Sequence, residues 1–307
     1  MKNARLGRAL PLDFPVATAG LRHRLADYVA LAKPRLNLLV IVTSGVGFYV
    51  AASHRIDAVR LLHTMLGTAF VAGGAAGLNQ ISERDTDRLM YRTRRRPLPD
   101  GRLSVGEALV FSLALSSIGL VQLALGANLL AALAALATLL VYTSIYTPMK
   151  LHTPAATFVG AVPGALPPLI GWAAARGSLS LEAWIIFAIV FCWQIPHFLA
   201  IAWMYRDDYR RAGFPMLPVI EADGRRTGRH AVLFATLLVP AAAAPYLAGL
   251  AGFWYLGGSL VLSLSLLVLA TRFALERSDR RARWLFFSSL VYLPALWSLL
   301  MIDLVRR

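Results

Sequence analysis

The chain carries nine apolar runs, each of about the 20 residues that a helix needs to cross the hydrocarbon core of a bilayer. They fall near 36–54, 61–79, 104–124, 128–146, 155–174, 183–203, 231–250, 254–271 and 284–302. Inside lipid a backbone must satisfy its own hydrogen bonds, so each run is expected to be an α-helix. The predicted fold class is therefore all-α, a polytopic membrane helix bundle. With 58% of its residues apolar and only 15% charged, the chain is neither a soluble globular domain nor a disordered one. Its single cysteine, Cys192, lies within the sixth run, which excludes an intramolecular disulfide framework.

A net charge of +15 invites a nucleic-acid reading, but the placement of that charge argues for topology instead. Of the 31 basic residues, all but Arg55, Arg60, Arg176, Arg306 and Arg307 lie before the first run or in the connections after the second, fourth, sixth and eighth. The excess of Lys and Arg on the inner side of membranes then puts the N-terminus and those connections in the cytoplasm and the C-terminus outside. No nucleic-acid partner is expected. Residues 1–35 begin basic, yet Pro11, Asp13 and Pro15 interrupt any hydrophobic segment, so they read as a cytoplasmic tail and not as a signal peptide. Residues 36–307 read as one transmembrane domain. The run Gly73-Gly74-Ala75-Ala76-Gly77 inside the second span reads as a close helix–helix contact.

Chemistry concentrates where the second span ends. Asn79, Glu83 and Asp87 recur every fourth residue, and a helix continuing past the membrane edge would stack them about 5–6 Å apart. Two carboxylates so close repel each other and call for a cation. An all-oxygen set suits Mg²⁺, which is usually held by one or two carboxylates together with substrate phosphate oxygens. Arg92 and Arg96 follow in a cluster of guanidinium groups of the kind that grips phosphate bidentately. A solvated helix end and a purely topological arginine cluster are the plainer explanations of the two halves. Farther on, Asp207 and Asp208 cannot share one direction on a helix, so at most one of them joins a shared site. Trp193, Gln194 and His197 surround Pro196 in the sixth span, where intramembrane polar groups face a cavity or a partner. Tyr146 and Lys150 occupy the short connection after the fourth span. Neither a complete dinucleotide fingerprint, a Gly-Lys-Ser/Thr phosphate loop nor paired-cysteine zinc spacing occurs.

Taken in order, these segments carry a resemblance. Lys33-Pro34-Arg35, the Asn79–Asp87 stripe with Arg92-Thr93-x-x-Arg96-Pro97-Leu98, and Tyr146-Thr147-Pro148-x-Lys150 come first. Gly160-Ala-Val-Pro-Gly164-Ala-x-Pro167-Pro168-x-x-Gly171-Trp172, Trp193-Gln194-x-Pro196-His197-Phe198 and Asp208-Tyr209-x-x-Ala212-Gly213-x-Pro215-Met216-Leu217-Pro218 complete the series. The whole resembles the membrane-embedded UbiA-type prenyltransferases, and within them the branch whose acceptor is protohaem IX. The resemblance implies nine helices around a cavity open to the cytoplasm, in the inner (plasma) membrane, and transfer of farnesyl from farnesyl diphosphate to a vinyl group of haem b. It implies Mg²⁺ as cofactor, with Asn79, Glu83, Asp87 and Asp208 at the metal–diphosphate site and Glu83, Asp87 and Asp208 as metal ligands. Arg92, Arg96 and Lys150 would hold phosphate oxygens, Tyr146 and Trp193 would offer aromatic faces to an allylic cation, and Gln194 and His197 would serve the haem. Haem A synthase or an oxidase-assembly factor is the implied protein partner. Three residues depart from the pattern: Glu83 stands where Asp is usual, Asp208 stands without a second aspartate, and Leu151 replaces a basic residue beside Lys150. A phenol, a quinone precursor or another tetrapyrrole is the alternative acceptor. A transporter is disfavoured, because the carboxylates gather at one membrane edge instead of marking a path through the spans.

Overall fold

The computed structural model describes residues 20–52 and 56–305. Residues 1–19 of the expected tail, and Arg55, Arg306 and Arg307 of the charge pattern, lie outside the described residues. The helices, in chain order, are α1 (Leu21–Ala32), α2 (Pro34–Ala51), α3 (Ala58–Ser82), α4 (Arg84–Leu89), α5 (Val105–Gly126), α6 (Leu129–Leu140) and α7 (Thr147–Met149). They continue with α8 (Ala156–Ala165), α9 (Pro167–Arg176), α10 (Leu181–Met204), α11 (Arg206–Arg211), α12 (Leu217–Ile220), α13 (Arg225–Leu247), α14 (Phe253–Leu275) and α15 (Asp279–Ile302). Among the described residues nine spans are long and apolar enough to cross a membrane, matching the sequence reading. The fourth is α6 carried through a π-helical turn, Val141–Tyr146, into α7; the fifth is α8 joined to α9.

Side-chain chemistry sets the ends of several spans. Ser104 and Glu107 form a capping box that starts α5, Asp57 caps α3, Asn128 caps α6 and Ser278 caps α15. Part of the expected tail is ordered structure, because α1 packs against α3 and buries Leu31 with Leu98 and Leu103. Between α1 and α2 sits Lys33, whose left-handed backbone (φ 49°, ψ 55°) is the sole positive-φ conformation outside glycine among the described residues. Pro34 disfavours the right-handed helical region for the residue before it, so the two helices are broken here and not continuous.

Packing divides the spans into inner and outer sets. The fifth and sixth spans bury most of their residues, whereas α5, α6, α13 and α14 bury a minority. On the outside, Leu125, Trp254 and Ile302 stand at 81–85% exposure, which suits contact with lipid and would be costly in water. The glycine run has the predicted meaning: a Cβ at Gly74 or Gly77 would overlap the hydroxyls of Ser116 or Ser112 on α5. Likewise α2 and α9 touch through their backbones, since a Cβ at Gly171 would overlap the Ser44 carbonyl.

Candidate active site

Functional side chains gather at the end of the bundle where α3 stops. The helix does not run on unbroken as expected; Glu83 leaves the helical region (φ −97°, ψ 6°) and separates α3 from α4. The stripe survives, because Glu83 N–H still donates to Asn79 O at 3.0 Å and Asp87 N–H to Glu83 O at 2.7 Å. Asn79 is buried and donates from Nδ2 to Thr147 Oγ1 at 3.2 Å. Glu83 accepts from Lys150 Nζ at 2.7 Å. Burial works against a charged carboxylate there, yet the ammonium of Lys150, followed by that of Lys33, holds the Glu83 carboxyl below its usual range. Asp87 is 0% exposed and accepts from Arg96 Nη1 at 2.7 Å through one oxygen, while its other oxygen, Oδ1, is buried without any hydrogen-bond partner.

The segment from Met90 to Ser104 is a series of turns and not a loose tether. Thr93 Oγ1 donates to Asp87 O at 2.9 Å, Arg88 Nε donates to Pro99 O at 3.0 Å, and Leu98 and Leu103 are buried. Met90 packs with Ala212, Phe214 and Met216, which joins this segment to the one after α11. Asp208 completes that joint: Tyr91 N–H donates to its Oδ1 at 3.3 Å, and Arg211 pairs with the same oxygen. Asp207 instead points out and pairs with Arg210, so the choice of Asp208 agrees with burial. Arg92 lies over the rings of Tyr205 (4.8 Å) and Tyr209 (5.8 Å).

Lys150 also stands 4.7 Å over the Tyr146 ring, which is 5.4 Å from that of Tyr142. Gly160 makes this position available, as a Cβ there would overlap the Tyr146 ring. Across α8, Gln194 Nε2 donates to Ala161 O at 2.6 Å. Trp193 and His197 make their contacts elsewhere. Trp193 Nε1 donates to Ser289 O at 2.8 Å, His197 Nδ1 is 2.8 Å from Ser289 Oγ, and the imidazole stacks between Trp193 and Phe286 at 5.4 and 5.0 Å. Thus Asn79, Glu83, Asp87, Arg92, Arg96, Tyr146, Lys150 and Asp208 share one end of the bundle, whereas Trp193 and His197 bind α10 to α15.

Sequence reasoning gave Lys33 no role at the site, although it opens the Lys33-Pro34-Arg35 motif and counts among the basic residues before the first span. Burial, and next the Arg96 guanidinium, push its ammonium down to about 7, against the pull of Glu83 and Asp87. The Lys-Pro dipeptide is the signal that marks it, since a proline restrains the residue before it. Thr147, the partner of Asn79, was quoted in a motif without a role. Each carboxylate expected to bind metal has its own cationic neighbour: Lys150 for Glu83, Arg96 for Asp87, Arg211 for Asp208. Among the described residues no three His, Cys, Asp or Glu side chains converge tightly enough to hold a metal ion by themselves. The unpartnered Asp87 oxygen and an all-oxygen donor set fit Mg²⁺ completed by phosphate oxygens, the usual way this ion is bound.

A profile of the UbiA prenyltransferase family matches residues 39–291. The protoheme IX farnesyltransferase of Solibacter usitatus is 48% identical over 288 residues, 91% of this chain and 99% of its own. A structure solved in work on digeranylgeranylglyceryl phosphate synthase in membranes superposes with a TM-score of 0.77 at 19% identity, covering 92% of this chain and 98% of the other. A UbiA homologue from Archaeoglobus fulgidus bound to GPP and Mg²⁺ superposes at 0.64 with 18% identity, over 89% and 99% of the two chains. At such identities the two structures speak for the fold alone.

Proposed function

The chain belongs to the UbiA prenyltransferase family, and from that premise we propose that it transfers the farnesyl group of farnesyl diphosphate to a vinyl group of haem b, giving haem O. The relative from Solibacter usitatus, named for this reaction and matched along nearly its whole length, supports the choice of substrates. In the structure, the observation that carries the reading is the alternation of charge: Glu83 with Lys150 and Asp87 with Arg96 at one membrane edge, beside Arg92. A magnesium diphosphate matches this arrangement group for group, carboxylates toward the metal and cations toward phosphate oxygens.

Glu83, Asp87 and Asp208, with Asn79 beside them at the metal–diphosphate site, would hold Mg²⁺, which when bound neutralises charge on the leaving diphosphate. Arg92, Arg96 and Lys150 bind phosphate oxygens and take up the negative charge that develops as the C1–O bond breaks, a preorganised electrostatic stabilisation. Lys150, drawn toward phosphate, leaves the Tyr146 ring face free for the allylic cation, a contact worth about 2 kcal/mol when desolvated. The vinyl carbon attacks C1, and the cation left next to the porphyrin takes up water and releases a proton. Gln194 ties α10 to α8, and Trp193 and His197 tie α10 to α15. The basic end faces the cytoplasm of a cell whose plasma membrane holds the enzyme, and the product stays in the bilayer for haem A synthesis or oxidase assembly.

Mass spectrometry of haem extracts from membranes with and without the protein, supplied with farnesyl diphosphate and haem b, tests this. Haem O should form only with the protein. A prenylated phenol or quinone precursor without haem O would assign the enzyme to another acceptor. Removal of divalent metal by EDTA should stop the reaction, and Mg²⁺ should restore it.

A further inference from the structure

Arg96, which pairs with Asp87, also lines a cavity of about 310 Å³. Its polar lining is Lys33, Gln80, Arg92, Arg95, Arg96 and Arg102, with no carboxylate among them. An anion here is therefore held directly by nitrogen donors, not through a metal. Three of the five cations are already engaged: Arg96 with Asp87, Arg102 with Asp27 and Asp100, and Arg92 against Tyr205 and Tyr209. Lys33 and Arg95 are left, and neither side chain makes a hydrogen bond or an ion pair among the described residues. Cations in the lining outnumber the carboxylates paired with them, which calls for an anionic ligand, and Lys33 and Arg95 are the two without a hydrogen bond or ring contact of their own among the described residues.

The remaining lining narrows the choice. Ala30, Leu36 and Pro97 supply apolar wall, and Leu36 stands 68% exposed at the start of the first span. Such a mixture suits an amphiphile with an anionic edge. The volume lies at the low end of the range of about 300–1,000 Å³ for small-molecule sites, enough for an anionic rim and not for a whole macrocycle. Strain points the same way: Lys33 keeps its left-handed backbone, a conformation that costs roughly 1–2 kcal/mol and persists where the surroundings impose it.

We propose that this cavity binds the two propionate carboxylates of the acceptor, with Lys33 and Arg95 as their ligands, an assignment that rests on haem b as the substrate. Arg92 and Arg96, assigned above to the diphosphate, also line this cavity, which puts donor and acceptor side by side, so the acceptor is oriented by its charged edge while the opposite, vinyl-bearing edge is left to react.

Haem b and its dimethyl ester, compared as acceptors with farnesyl diphosphate in membranes, test the assignment. With the unaltered enzyme the ester should show a KM roughly tenfold or more above that of the free acid, as expected for losing charge-assisted hydrogen bonds. Arg95→Gln should raise the KM for haem b by about tenfold, while leaving the KM for the ester and for farnesyl diphosphate unchanged; Lys33→Gln should raise the KM for haem b more than that for the ester. Arg95 is exposed, so its variant keeps the fold even if Lys33→Gln does not. Equal KM values for acid and ester would overturn the assignment. So would variants that weaken farnesyl diphosphate instead, which would give the cavity to the donor, or a defect that varies only with the anionic lipid content of the membrane. Failure of the unaltered enzyme to farnesylate either acceptor is a separate result: it refutes haem b as the substrate and takes this assignment with it.

Discussion

Asp87 joins two demands in one side chain. It is wholly buried and paired with Arg96 through one oxygen, while the other oxygen has no partner and is available to a cation. Asp87→Asn should abolish haem O formation, with a loss of 10²-fold or more of the order found when one preorganised electrostatic contact is removed. Glu83→Gln should do the same, whereas Glu83→Asp keeps the charge facing Lys150 and should retain substantial turnover. Assays at limiting Mg²⁺ decide this; full activity in either neutral variant would remove both residues from the metal site. Lys33 adds a pH dependence. Its ammonium is pushed down to about 7, so the charged form that an anion needs is present below that pH and is lost as the pH rises through it. The kcat/KM for haem b should therefore fall above about pH 7, and Lys33→Arg should carry the plateau to higher pH, because a guanidinium stays charged. A profile identical in enzyme and variant would assign the fall to another group.

The elements show where sequence patterns inform and where they stop. Apolar length read out the number and placing of the spans, because the bilayer imposes a length that local composition must meet; the first was expected at 36–54 and is Pro34–Ala51, whereas the seventh, expected from 231, already starts at Arg225, its first turns being basic. A four-residue spacing likewise read out the Asn79–Glu83–Asp87 stripe, which hydrogen bonding preserves across the break at Glu83. Spacing says nothing, however, about which neighbour a face meets. Trp193 and His197 were legible as intramembrane polar groups, but only the fold shows Ser289 and Phe286 of α15 as what they touch. Nor could spacing reveal that Lys33 turns toward Glu83 and Asp87, since that depends on a left-handed joint between two helices. From its contacts, His197→Ala should lower the thermal midpoint in detergent and shift the KM of both substrates alike. Ser289→Ala, losing chiefly a hydrogen bond, should cost only about 1 kcal/mol. A loss confined to haem b, with the midpoint unchanged, would instead put the imidazole at the acceptor.

At the scale of the whole molecule, the proposed function asks the basic residues to orient the bundle and also to run its chemistry. Orientation depends on the sum of Lys and Arg over several connections, so it tolerates the loss of any one charge. Catalysis depends on position, because a guanidinium fork that meets phosphate or carboxylate oxygens cannot be replaced by the point charge of lysine. Within one segment the contacts differ: Arg96 is committed to Asp87 and Arg92 to two tyrosines, whereas Arg94 lies over the exposed Tyr91. Arg92→Lys and Arg96→Lys should therefore raise the KM for farnesyl diphosphate or lower turnover, while Arg94→Lys does neither. All three should keep the same orientation. Cysteine mapping checks this cleanly, since the native Cys192 is buried and gives little background. A thiol introduced at exposed Arg94 should react with a membrane-impermeant reagent only from the cytoplasmic side, and one at exposed Ser178 only from the other. Labelling of both from one side would refute the odd number of crossings between the two ends. Equal kinetics in the three lysine variants would mean that the cluster acts as diffuse charge and that neither Arg92 nor Arg96 grips the diphosphate.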